Sequence, residues 1–147
     1  MLRSFRFLSA LLVTFTLFVS CSKDDDTPVT PTYPTFKATM TGAQETPTNS
    51  STATGTFTST FNTDTKVLTY TVTYTGMTVT AWHIHTGAVG VPGPVEIDLG
   101  GPISSGFTSS KILTAAQEAN LTAHNFYVNL HSAIFPGGEI RGQLLRQ

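Results

Sequence analysis

The chain has 147 residues, nine Asp or Glu against eight Lys or Arg, four histidines and one cysteine, and only 12% of its residues are charged. Charge this sparse excludes the dense basic patch that nucleic acid requires and a basic helix lying on a membrane surface. A single cysteine excludes a disulfide within the chain.

Taken in order, the chain opens on Arg3 and Arg6 and then runs through 13 residues, Phe7 to Val19, that are apolar or threonine apart from Ser9. That length suits the h-region of a secretory signal and is too short for a transmembrane helix. The run ends at Ser20 and Cys21. A small residue followed by cysteine resembles the lipobox of bacterial lipoproteins, which implies a signal peptide over residues 1–20, cut before Cys21, and lipid attachment (a palmitate-type anchor) at Cys21. Phe18 and Val19 depart from the commonest lipobox residues. Ser22, Lys23, Asp24, Asp25 and Asp26 are similar to the export signal by which Bacteroidetes carry lipoproteins to the outer face of the outer membrane. More than one acyl chain holds firmly where one alone is marginal. Without Arg3 and Arg6, six Lys or Arg face nine Asp or Glu, a net charge of −3. Thr27 to Thr35, TPVTPTYPT, carries three prolines, and residues 21–35 read as an extended acidic and Thr/Pro-rich tether.

A first strand fits Phe36 to Thr41. Threonines at 52, 54, 56, 58 and 60 then interleave with Ala53, Gly55, Phe57, Ser59 and Phe61, and those at 69, 71, 73 and 75 with Leu68, Tyr70, Val72 and Tyr74. Strict alternation of this kind marks antiparallel strands with one face on a core and one in water. Asn62 to Thr65 supply the turn between them. The stretch AWHIHTG from Ala81 follows, then a Gly/Pro loop to Pro94, a short strand over Val95 to Leu99, and another from Phe107 to Leu113. Thr114 to Ala123 has the layout of a capping box and reads as one short helix. A strand from Asn125 to His131 and a last one, GEIRGQLLR, complete an all-β pattern of sandwich or Greek-key type.

Several motifs occur in one order: GAQETP from Gly42, ATG from Ala53, LTYTVTYTGM from Leu68, HIHTG from His83, YVNLHS from Tyr127 and GGEIRGQL from Gly137. In this the chain resembles the CHRD domain, a family named after repeats in chordin, over residues 36–147. The resemblance implies an immunoglobulin-like or superoxide-dismutase-like Greek-key β-sandwich with no established enzymatic activity and no agreed ligand for bacterial members.

On a strand, alternate side chains share a face. His83 and His85 therefore stand together, as do Asn129 and His131 on the later strand; if the two strands lie close together, these four form one polar cluster backed by Trp82, Ile84, Val128 and Leu130. Two readings of this cluster stay open. In the first, His83, His85, Asn129 and His131 form a hydrogen-bonded polar layer, with Glu139 and Arg141 either joining it or lying in solvent. In the second, the three histidines bind zinc or copper, with Glu45, Asp98 or Glu139 adding an oxygen. The HIH spacing is similar to that of copper/zinc superoxide dismutase, but His83, His85, His131 and His124 are too few for two metals. No catalytic constellation accompanies them, so the expectation is a non-enzymatic, surface-displayed binding or structural domain whose ligand is an extracellular protein or carbohydrate. The alternation fixes which residues share a face and leaves open which face is inside.

Overall fold

The computed structural model describes residues 32–147; the signal segment, Cys21 and the tether as far as Pro31 lie outside the described residues. Nine strands form among the described residues: β1 (Thr35–Thr41), β2 (Thr54–Asn62), β3 (Val67–Thr75), β4 (Ala81–Thr86), β5 (Val95–Asp98), β6 (Phe107–Ile112), β7 (Phe126–His131), β8 (Ile140–Gln143) and β9 (Leu145–Arg146), with one α-helix, α1 (Ala115–Thr122), between β6 and β7. The fold is all-β with one short helix, as the sequence implies. No helix among the described residues is long and apolar enough to cross a membrane.

The strands make one continuous antiparallel path, β5-β4-β7-β8-β1-β2-β3-β6, with β9 added to β1. The path curls so that two halves face each other in the manner of a sandwich. In the half formed by β1, β2 and β3, every second residue turns inward: Phe36, Ala38, Met40, Phe57, Phe61, Leu68, Tyr70 and Val72 are all buried. Their threonine neighbours line the outer surface, where Thr71 and Thr108 share a 2.8 Å hydrogen bond across strands. The other half contributes Trp82, Ile84, Val128, Leu130 and Ile140, all fully buried. Trp82 places its ring edge-on to Tyr70 at 5.7 Å and to Phe107 at 5.8 Å, joining the halves through aromatic packing.

The corner between the halves lies at Arg141. Its backbone pairs with Asn129 of β7 and also with Thr41 of β1. The sequence suggests one uninterrupted last strand, but this strand changes partners. Up to Gln143 it follows β7; Leu144 then donates to the Phe126 carbonyl, and Leu145 and Arg146 pair with Lys37 and Phe36 of β1. Gly142 permits the crossing, because a Cβ there would collide with the Thr39 carbonyl. Strand pairing extends one residue before Phe36: Thr35 pairs with Thr60, and the Pro34 carbonyl accepts from Phe61 N–H.

Helix α1 starts as its sequence predicts. The Thr114 hydroxyl accepts from Gln117 N–H and the Gln117 side chain accepts from Thr114 N–H. At its far end His124 takes a left-handed conformation, φ 58°, while the N–H of Asn125 reaches the Asn120 carbonyl. This is the usual way to end a helix, with histidine where glycine is commonest.

Candidate functional site

Register places the polar cluster. In successive rows across β4, β7 and β8, His83 pairs with Asn129 and Asn129 with Arg141, while His85 pairs with Tyr127 and Tyr127 with Gln143. The residues between them fill the core, so the histidine face is the outer one. It is not, however, a wetted face. His85, Asn129, Arg141 and Gln143 are all buried, as are Glu45 and Glu139, because loops 42–50, 87–94 and 132–139 fold over them.

The layer holds these loops by their backbones. The Arg141 guanidinium donates to the Ala88 and Val91 carbonyls at 3.2 and 2.9 Å and lies over Tyr127, its central carbon 3.5 Å from the ring centre. The His85 imidazole stacks on the same Tyr127 ring at 4.8 Å. Gln143 donates to the Gly87 and His124 carbonyls. The Tyr127 hydroxyl accepts from Gly93 N–H at 3.0 Å, and a Cβ on Gly93 would run into the Thr86 carbonyl. Glu139 and Arg141 are therefore structural partners of the layer, and the solvent-exposed alternative is excluded by their 4% and 3% exposure. The Glu139 carboxylate accepts from the Ser51 hydroxyl at 2.7 Å, away from the histidines.

The three histidines converge. His83 Nδ1 and His131 Nε2 are 3.0 Å apart, and one nitrogen from each of His83, His85 and His131 lies within 4.8 Å of the others. His85 Nδ1 faces the Gly93 carbonyl and His131 Nδ1 the Pro136 carbonyl, both at 3.0 Å. Burial pushes the pKa of His85 and of His131 down, against the opposing effect of those carbonyls. Of the candidate oxygen ligands, only Asp98 approaches a histidine: its carboxylate is 3.8 Å from His83 Nε2 and mostly exposed. Glu45 instead lies beside Gly138 and Asn129; a Cβ on Gly138 would meet the Asn129 amide nitrogen at 2.6 Å and Glu45 Oε1 at 2.8 Å. Burial raises the Glu45 carboxyl to about 7, outweighing the pull of the Arg141 charge. His124 stays apart, its Nε2 accepting from Arg146 N–H at 3.4 Å.

Sequence reasoning missed Tyr127, although it lies two residues before Asn129 and shares its face by the same alternation. It also missed Gln143 and Gly93 as supports. Alternation puts Gln143 on one face with Glu139 and Arg141, but its partners, the Gly87 and His124 carbonyls, and Gly93's partner, the Tyr127 hydroxyl, are distant in sequence.

Fold and site together define an all-β module whose outer face carries a roofed polar layer centred on three histidines, with no Ser–His–Asp arrangement among the described residues. More particularly, the chain belongs to the CHRD domain family: a model of that domain matches residues 36–144. The family is a non-catalytic one. Comparisons with curated proteins and with solved structures return no match.

Proposed function

We propose that the chain is a lipid-anchored, non-catalytic binding or structural domain held on the outer face of the outer membrane through Cys21. The observation that carries the non-catalytic reading is where the polar layer directs its hydrogen bonds. Arg141, Gln143, His85 and His131 all engage loop carbonyls, so the layer fixes loops 87–94 and 132–139 in one shape. A rigid loop surface is what recognition of a protein or carbohydrate ligand needs, because little ordering entropy is then lost on binding. Val89 and Val91 stand exposed on that surface. Beside them, a cavity of about 510 Å³ opens between Glu45, Thr46, Pro47 and Val89, with Arg141 and Gln143 at its base. The lipid reading rests on the apolar run that ends at Cys21 and the acidic residues after it.

Intact cells expressing the full chain test the anchoring. The wild-type protein is expected to fractionate with membranes and to be digested by protease added outside, and Cys21→Ser to leave the membrane fraction. A Cys21→Ser chain that remains membrane-bound, or a wild-type domain protected from external protease, contradicts this reading.

A further inference from the structure

The polar layer contains an excess of buried acceptors. A backbone carbonyl can only accept, so the bonds to Gly93 and Pro136 place the protons of His85 and His131 on Nδ1. Both Nε2 atoms therefore present lone pairs to the interior of the layer. The His131 lone pair faces His83 Nδ1. The His85 lone pair, on a residue only 9% exposed, faces no donor. Asn129 Oδ1 and Glu45 Oε1 are likewise buried and unpartnered, so three of the four such side-chain atoms among the described residues belong to this layer; the fourth is Trp82 Nε1 in the core. Leaving a buried acceptor unmatched is costly, and a cation at the convergence of the three rings removes that cost at His85 Nε2.

We infer that His85 Nε2, His131 Nε2 and His83 Nδ1 bind one imidazole-preferring divalent ion, Zn²⁺ or Cu²⁺. The donor set is all imidazole without thiolate, which favours these ions over Mg²⁺ and Ca²⁺. The Gly93 and Pro136 carbonyls are the outer-shell acceptors that metal-bound histidines ordinarily have. At His83 the ion replaces the Nδ1 proton, and that ring then carries its proton on Nε2, facing Asp98 at 3.8 Å. Bonds of about 2.0–2.1 Å to a tetrahedral ion place nitrogens roughly 3.3 Å apart. The His83–His131 pair is already near that spacing at 3.0 Å, and a nitrogen of His85 lies within 4.8 Å of one on each of the other two rings. This site goes beyond the binding-domain reading and does not depend on the anchor.

The test uses the full chain carrying Cys21→Ser, which removes the thiol as a competing ligand, stripped with chelator and titrated calorimetrically with Zn²⁺ or Cu²⁺ alone. One equivalent is expected to bind with a rise in melting temperature, while Mg²⁺ and Ca²⁺ do neither. His85→Ala and His131→Ala are expected to lose at least 100-fold in affinity, and His124→Ala to lose none. Copper electron paramagnetic resonance is expected to show three coupled nitrogens in the parent and two in His85→Ala, a readout that a merely destabilised variant would not give. No stoichiometric uptake, which is the outcome if water alone occupies the layer, overturns the inference. So does affinity unchanged in the histidine variants.

Discussion

Glu45 shows how a single side chain reports on the roof over the polar layer. Its carboxyl, near 4.5 when unfolded, titrates at about 7 in the fold because the loops bury it. Folding therefore favours the neutral form. The resulting stability is complete below pH 4.5 and is lost as pH rises toward and through 7. At about 1.4 kcal/mol per pKa unit, reduced for partial solvent screening, the fold is expected to weaken by about 1–2 kcal/mol between pH 5 and pH 8 from this group. Urea denaturation of Glu45→Gln is expected to show a correspondingly shallower decline. Equal declines in variant and parent contradict the burial. This burial was not legible in the sequence, where Glu45 sits in the polar run GAQETP, because it comes from Arg141 and Gly138, more than ninety positions away. His83, His85, Asn129 and His131, by contrast, could be read together from alternation on two strands. The same rule would have found Tyr127.

At the scale of elements, the period-2 threonine pattern gave β2 and β3 nearly residue by residue, and the capping box gave α1, because those signals are local. The division of the last strand was not legible. Its cause is a crossing of backbones at Gly142 and Thr39, which no alternation records. Gly142→Ala is expected to cost about 2 kcal/mol, since the Thr39 carbonyl belongs to a paired strand and cannot move aside. It should also speed amide exchange at Leu144 and Gln147, whose N–H groups bond Phe126 and Thr35 beyond the crossing. A change below 0.5 kcal/mol with unaltered exchange would mean that the corner tolerates the extra carbon.

For the whole molecule, the face question was the one that alternation left open, and the structure resolves it through two different kinds of burial. Trp82, Ile84, Val128 and Leu130 are buried between the halves of the curled sheet. The opposite face is buried by loops, and its side chains are polar because they must satisfy loop backbone groups there. A CHRD domain of this form thus has an apolar core for stability and, outside it, a polar layer that sets the shape of its loops and brings three imidazole rings together, the Nε2 lone pairs of His85 and His131 among them. Nitrogen-15 NMR of the histidine rings in the metal-free chain tests that central claim most directly. His85 and His131 are expected as Nδ1–H tautomers, with Nε2 unprotonated and shifting when Zn²⁺ is added. Protons found on Nε2 of both rings would mean that the Gly93 and Pro136 carbonyls do not hold them and that the lone pairs do not converge.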